Sequence, residues 1–257
     1  MFCPDNTLIF AHRGANRQAA ENTRVAFDAA LLLPVDGIET DVQLSKDNVA
    51  VLWHDQYTDK LGYPGRRIDD FDFSELEAMN FAAHFNPELY VEGVLSLEEF
   101  VATYRGRCRL QIEIKNRSWE ALERHRFKVE QTLALVGAAN DMDVFLSSFN
   151  LQSMVYANRL NSQIPLFYAF DMKCSVADVE AILESNDFLA GLCLPIHILN
   201  QAIMQAIRIR HKTVLVYTCN RHSEILKALN LGVDVLITDD IQQALAMRQA
   251  CSEHSPV

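Results

Sequence analysis

The chain has no apolar run long enough to span a bilayer. Its N-terminus, MFCPDNTLIF, also lacks a basic segment followed by an apolar stretch and a small-residue cleavage site. From these two absences we expect a cytoplasmic protein without a stable membrane anchor.

Positive charge is also scarce. The 23 Lys and Arg residues are outnumbered by 34 Asp and Glu residues, which gives a formal net charge of −11, and the acidic residues form no tail. We therefore expect no nucleic-acid partner and no anionic membrane surface as a partner. The composition, with 49% hydrophobic and 22% charged residues over 257 positions, predicts a globular chain with a large core.

The six cysteines form no metal-binding pattern. They contain no C-x-x-C pair, and no Cys/His spacing suits a zinc site. Several lie in apolar, strand-like runs such as LAGLCLP and VLVYTCN. This distribution predicts buried or free thiols in a reducing compartment.

Short apolar strands alternate with helical segments over most of the chain. Strands are predicted at 7–13 and 36–45, and then at 109–116, 143–149, 163–171, 188–195, 213–220 and 233–240. Eight such β/α units with right-handed crossovers predict an α/β fold, a closed (β/α)8 TIM barrel. A doubly wound open sheet is the alternative, because a strand count alone does not show closure.

The segment VAVLWHD (49–55) is an additional strand. Its link to the second barrel strand is too short for a parallel crossover, so the two predict an antiparallel hairpin. A turn between Asp47 and Asn48 would set His54 opposite Asp41. We interpret 56–93 as a short inserted cap, 1–250 as a single catalytic domain and 251–257 as a flexible tail.

Polar side chains occur where the first barrel strands end. Active sites of such barrels lie at the carboxyl ends of the strands. The strand ends and the hairpin carry His12, Arg13, Glu39, Asp41, His54, Glu113 and Lys115. Each pair alone is common in a surface loop or a half-exposed strand. A barrel strand is buried on both faces, however, so ionised carboxylates there cost several kcal/mol each unless a cation compensates them.

Three of these residues, Glu39, Asp41 and Glu113, predict a metal site. Like charges near one point raise the pKa of at least one carboxyl group, and a divalent cation relieves the repulsion. Ligation by carboxylate oxygens without cysteine favours one Mg²⁺ or Ca²⁺ ion over zinc.

The remaining four residues suit phosphodiester cleavage. At neutral pH one of the two histidines, His12 and His54, can accept a proton while the other donates one. Arg13 and Lys115 add fixed positive charge that suits a phosphoryl group.

The sequence resembles the glycerophosphodiester phosphodiesterase family, in particular its short cytosolic bacterial members. The matching segments keep the family's order and cover nearly the whole chain: AHRGANRQAAENTRVAFDAAL, DGIETDVQLSKDNVAVLWHD, LSLEEF, IEIK, SSF, VYTCN and GVDVLITDD. The first two are highly specific. Ala20 replaces the usual proline and Asn48 the usual turn glycine, and neither change removes a catalytic group.

The resemblance implies a TIM barrel that hydrolyses glycerophosphodiesters to sn-glycerol 3-phosphate and an alcohol, with Mg²⁺ or Ca²⁺. It implies that His12 and His54 are the general acid and base, that Glu39, Asp41 and Glu113 bind the metal, and that Arg13 and Lys115 bind phosphate. In the family mechanism the glycerol 2-hydroxyl attacks phosphorus, and water then opens the cyclic phosphate.

The same resemblance implies roles for two further residues, Glu21 and Tyr217. Glu21 is expected to orient Arg13 or to assist near the metal, while the adjacent Asn22 could instead cap the following helix. Tyr217 stands where the family usually has tryptophan, and is either part of the glycerol pocket or an ordinary barrel residue.

Two alternatives remain at this point. An aromatic-rich cap could form an acyl groove for a phosphodiesterase that acts on lysophospholipids, and a barrel without activity could serve as a binding module. All five predicted acid-base and metal residues are present, which disfavours the second. The sequence leaves open the head group, the choice between Mg²⁺ and Ca²⁺, and the oligomeric state.

Overall fold

Eight parallel strands form a closed barrel in the computed structural model, which describes residues 7–86, 90–139, 143–160, 163–171 and 173–253. With the hairpin strand β3 included, the strands are β1 (Leu8–His12), β2 (Gly37–Leu44), β3 (Ala50–Leu52), β4 (Arg109–Ile114), β5 (Val144–Ser148), β6 (Leu166–Ala169), β7 (Gly191–Pro195), β8 (Thr213–Tyr217) and β9 (Val235–Thr238). Because β1 pairs with both β2 and β9, the sheet is closed. The predicted (β/α)8 barrel is confirmed and the open sheet is excluded.

Helices follow the barrel strands, as the alternation predicted. They are α1 (Arg24–Ala30), α2 (Phe73–Ala78), α3 (Leu97–Tyr104), α4 (Leu122–Val136), α5 (Leu151–Arg159), α6 (Val176–Ser185), α7 (Gln201–Arg208), α8 (His222–Leu231) and α9 (Ile241–Glu253). Thr23, and not Asn22, caps α1, because its hydroxyl accepts from the N–H of Ala26. The last helix runs three residues into the predicted tail, and 254–257 lie outside the described residues. None of the described helices is long and apolar enough to cross a membrane.

The barrel interior is filled by aromatic rings below the polar mouth. Phe145 packs between Phe10 and Phe167, with ring centroids 5.7 and 5.0 Å apart. Gly37 starts β2 because a Cβ there would lie 2.3 Å from the Phe10 ring. A second, larger apolar core lies between the strands and the surrounding helices. Strands buried on both faces explain the nearly continuous apolar runs in the sequence.

The β2–β3 hairpin is antiparallel as predicted, but its predicted register is wrong by one residue. Asp41 lies opposite Trp53, whose N–H donates to the Asp41 carbonyl at 3.1 Å, so His54 does not face Asp41 across the ladder. The turn centres on Asp47 and not on the bond between Asp47 and Asn48. Asn48 adopts a left-handed conformation with φ of 66°, which suits a hairpin loop with an odd number of residues. His54 therefore reaches the barrel mouth from the loop that follows the strand.

The cap has a small core of its own, which packs on the outer face of the hairpin. Trp53 meets Phe81 edge-to-face at 5.3 Å, and Phe71 is buried in the same cluster. Phe71 and Phe81, two of the aromatic side chains that could have formed an acyl groove, are thus used in folding the cap. Tyr63 and Phe85 stay partly exposed, each at 39%.

Candidate active site

The three predicted metal-binding carboxylates meet at the mouth of the barrel. Pairing of β1 with β2 sets His12 beside Glu39, and pairing of β2 with β4 sets Asp41 beside Glu113. Glu39, Asp41 and Glu113 each offer an oxygen within 4.8 Å of the others. The strand-end pattern in the sequence therefore located this cluster correctly.

The pKa values of two of these carboxyl groups, Asp41 and Glu39, are shifted in opposite directions. Asp41 is fully buried, and burial alone raises a carboxyl pKa. The guanidinium of Arg13 at 3.1 Å, the ammonium of Lys115 at 3.4 Å and a hydrogen bond from Asn22 outweigh burial and hold the pKa of Asp41 well below its usual range. Burial, followed by the negative charge of Asp41, raises the pKa of Glu39 well above its usual range.

The cluster fits a hard divalent cation. Glu39 Oε2 and Asp41 Oδ1 are buried and accept no hydrogen bond, although the Lys115 ammonium lies 3.4 Å from Asp41 Oδ1. Buried carboxylate oxygens normally have a partner, and a cation between them would supply one. The donor set consists of carboxylate oxygens, which Mg²⁺ and Ca²⁺ prefer.

His12 is oriented by Asp239, at the end of the neighbouring strand β9. Its Nδ1 lies 2.6 Å from Asp239 Oδ1, and its Nε2 lies 3.9 Å from Glu39 Oε2. Burial alone would raise the pKa of Asp239, but hydrogen bonds from His12, Asn16 and Asn220 lower it to about 2. An ionised Asp239 can only accept, so His12 donates Nδ1–H and presents Nε2 to the pocket.

His54 begins a chain of charged contacts. Its Nδ1 lies 2.8 Å from Asp55 Oδ1, and Asp55 Oδ2 lies 2.9 Å from the Lys60 ammonium, which belongs to the cap. The same ammonium contacts Glu21, whose other oxygen accepts from Arg13 at 2.9 Å. Glu21 therefore lies between the side chains of Lys60 and Arg13.

The sequence reasoning assigned no role to Asp239, Asp55 or Lys60. Asp239 lies in the ITDD segment, directly after the last strand, and closure of the barrel places this strand beside β1. A carboxylate at the carboxyl end of a barrel strand was therefore the sequence signal that could have identified it. The contact made by Lys60 depends on how the cap folds, and no local pattern indicates it.

A fully buried lysine, Lys128, supports the end of β4 from behind. Its ammonium donates to the Lys115 carbonyl at 2.7 Å and to both carboxylate oxygens of Glu120 at 2.8 Å. Burial lowers the pKa of Lys128. The sequence pattern gave no indication of this residue.

The site opens into a pocket of about 200 Å³. Both histidines border it, together with Arg13, Lys115 and Tyr217. The Tyr217 hydroxyl donates to the Phe170 carbonyl, and its ring meets Phe149 edge-to-face at 5.8 Å. The structure thus brings every predicted site residue except Glu21 to the wall of one pocket or into the carboxylate cluster, and Glu21 contacts Arg13 just behind.

A TIM barrel with two histidines, three carboxylates and two cationic side chains at its mouth suits the hydrolysis of phosphoric diesters. A model of the glycerophosphoryl diester phosphodiesterase family matches residues 12–243. The chain belongs to that family.

Known relatives agree with this assignment. A glycerophosphodiester phosphodiesterase of Bacillus altitudinis is 27% identical, over 95% of this chain and 98% of the relative. One from Bacillus subtilis is 25% identical, over 93% and 85%. A solved phosphodiesterase from Oleispira antarctica, in complex with the product sn-glycerol-3-phosphate, is 25% identical with a TM-score of 0.83, over 96% of this chain and 97% of that one.

Proposed function

We propose that the protein hydrolyses glycerophosphodiesters to sn-glycerol 3-phosphate and an alcohol, using His12 and His54 as general acid and base. The observation that carries this proposal is the single pocket bordered by both imidazoles and by the cationic groups of Arg13 and Lys115. The product bound to the Oleispira antarctica relative supports the same substrate class.

The two histidines transfer protons to and from the substrate in two steps. One imidazole takes the proton of the glycerol 2-hydroxyl as its oxygen attacks phosphorus, and the other protonates the alcohol oxygen as its bond to phosphorus breaks. Water then opens the resulting cyclic phosphate, with the two imidazoles in exchanged roles. Asp239 and Asp55 each hold one imidazole by Nδ1, which leaves Nε2 for proton transfer.

Arg13 and Lys115 bind the non-bridging phosphate oxygens in this proposal, and Tyr217 lines the glycerol site. Glu21 positions Arg13 through the 2.9 Å hydrogen bond. Glu39, Asp41 and Glu113 would hold one divalent cation, Mg²⁺ or Ca²⁺. When bound, such an ion supplies positive charge that stabilises the negative charge developing on the phosphoryl oxygens.

A phosphodiesterase acting on lysophospholipids is the less favoured alternative, because Phe71 and Phe81 are buried in the cap core. The test is product release from glycerophosphocholine and from lysophosphatidylcholine, with Mg²⁺, with Ca²⁺ and with EDTA. We expect metal-dependent release of choline, the product common to both reactions, from glycerophosphocholine only. Comparable turnover of lysophosphatidylcholine would contradict the ranking.

A further inference from the structure

One polar side chain in the wall of the catalytic pocket has no part in the proposed function. Gln111 lies on β4, two residues before Glu113 and on the same face of the strand, and it borders the pocket. Two residues span about 6.6 Å along a strand, so Gln111 lies that much further from the mouth of the barrel than Glu113. The side chain is only 2% exposed. Gln111 therefore places a buried amide at the inner end of the pocket.

Only one end of this amide is hydrogen-bonded within the part of the chain that the structure describes. Nε2 donates to Ser147 Oγ at 3.1 Å, whereas Oε1 is buried and accepts no hydrogen bond. Buried amide oxygens normally have a donor, because the loss of a hydrogen bond to water without replacement is unfavourable. A hydroxyl group on a ligand in the pocket would supply this donor.

The neighbouring serine favours an alcohol group as the ligand of the amide. Ser147 is buried, borders the same pocket, and accepts the hydrogen bond from Gln111, so its own proton is left for a further acceptor. An alcohol group both donates and accepts hydrogen bonds, and Gln111 Oε1 with the Ser147 hydroxyl provides one partner for each. A metal ion would use only the oxygen lone pairs of this pair.

The glycerol arm of the proposed substrate carries such a group at the end opposite the phosphate. In the proposed function the phosphoryl group lies beside Arg13 and Lys115, and the 2-hydroxyl attacks phosphorus. The C1 hydroxyl is then the one glycerol hydroxyl without a role in the chemistry. A pocket of about 200 Å³ is bordered by these two cationic side chains and also by Gln111 and Ser147.

Apolar side chains surround the inner end of the pocket. Ala169, Cys193 and Ile237 border it, and all three belong to the apolar cluster that includes the packed ring of Phe145. An acyl chain on the C1 oxygen would have to displace these buried side chains, whereas a free hydroxyl would not.

We propose, on the basis of the proposed function, that Gln111 selects substrates with a free C1 hydroxyl on the glycerol arm. Gln111 Oε1 accepts the proton of that hydroxyl, and Ser147 donates its own proton to the hydroxyl oxygen. Gln111 is thus a specificity-determining residue for the deacylated diester. In lysophosphatidylcholine the C1 oxygen carries the acyl chain and has no proton to donate.

A substrate that lacks only this hydroxyl tests the assignment. The measurement is choline release from glycerophosphocholine and from its 1-deoxy analogue, which keeps the attacking 2-hydroxyl. We expect wild type to prefer glycerophosphocholine by about tenfold or more in kcat/KM, because the analogue leaves the buried amide oxygen without a donor. Gln111→Met, which keeps an unbranched side chain of similar length, should lower this preference to within about twofold. The preference is a ratio of two kcat/KM values, so the folded fraction of a variant does not affect it.

Two adjacent serines on β5 supply a second variant and its matched control. Ser147→Ala removes the proposed donor and should lower the same preference by about threefold or more. Ser148→Ala should leave the preference unchanged, because the Ser148 side chain lies on the opposite face of the strand and donates to the Ile114 carbonyl at 2.8 Å.

Three results would overturn the assignment and leave the proposed function intact. Equal kcat/KM of wild type on both substrates would show that the C1 hydroxyl is not selected. An unchanged preference in Gln111→Met, or in Ser147→Ala if Gln111→Met yields no folded protein, would place the hydroxyl elsewhere. A loss of divalent-metal affinity in Gln111→Met, measured by isothermal titration calorimetry, would assign the amide to the metal site. Wild-type protein inactive on both substrates with Mg²⁺ and with Ca²⁺ would instead overturn the proposed function, and this assignment with it.

Discussion

The contact between His12 and Asp239 yields the sharpest prediction, for the variant Asp239→Asn. The imidazole donates Nδ1–H to an ionised carboxylate 2.6 Å away, in a partly buried setting. Hydrogen bonds to charged groups contribute about 1.5–3 kcal/mol. If that energy holds the imidazole in its productive tautomer and orientation, its loss lowers kcat by about ten- to a hundredfold, because 1.4 kcal/mol corresponds to tenfold.

The same substitution should change the response of stability to acid. Despite burial, hydrogen bonds from His12, Asn16 and Asn220 lower the pKa of Asp239 from 3.8 to about 2. A lowered folded-state pKa stabilises the fold above about pH 4, and this contribution is lost as pH falls toward 2. Discounted for partial exposure, it amounts to at most about 2 kcal/mol. Urea unfolding at pH 7 and near pH 2 measures the difference between wild type and variant.

The assay for catalysis is steady-state release of sn-glycerol 3-phosphate from glycerophosphocholine. Asp240→Asn is the matched control, because Asp240 is the next residue and accepts from the N–H of Gln243 in the first turn of α9, a cap that asparagine can also supply. The reasoning is refuted if Asp239→Asn keeps the wild-type kcat, or if both variants lose activity equally.

Three further substitutions probe other parts of the site. Glu113→Gln should weaken divalent-metal binding in isothermal titration calorimetry by about tenfold or more, and unchanged affinity would remove it from the metal site. Lys60→Met removes the cationic partner of Glu21 and Asp55 and should lower kcat by about tenfold. Lys60→Arg should keep the wild-type kcat, and Lys46→Met, at an exposed lysine, should have no effect. Lys128→Met leaves Glu120 buried without its main partner and should cost about 3–5 kcal/mol in urea unfolding, so a loss under about 1 kcal/mol would contradict the buried ion pair.

Local patterns predicted the barrel and the carboxylate cluster because both follow from strand periodicity. Residues two apart on a strand share a face, so Glu39 and Asp41 had to point the same way, and parallel order set Glu113 beside them. The hairpin register was missed because it depends on a single left-handed residue, Asn48. Lys60 was missed because its contact depends on tertiary folding of the cap.

Other predictions rest on the sequence alone. The roles of the individual site residues, the single catalytic domain over 1–250 with its cap at 56–93, and the cytoplasmic location stay predictions. The described cysteines, Cys108, Cys174, Cys193, Cys219 and Cys251, form no disulfide among themselves. Cys3 lies outside the described residues.

The division of labour between the two histidines is the central claim, and leaving-group dependence tests it most directly. The measurement, for His12→Ala and His54→Ala, is kcat on glycerophosphocholine and the single-turnover rate of p-nitrophenol release from the p-nitrophenyl ester of sn-glycerol 3-phosphate. The leaving group of the second ester needs no proton, and single turnover separates the first step from the opening of the cyclic phosphate. Both variants should lose about 10²–10⁴-fold on the choline ester. Only the variant without the general acid should recover on the p-nitrophenyl ester. Equal losses on both esters in both variants, or an unchanged kcat in either, would contradict the account.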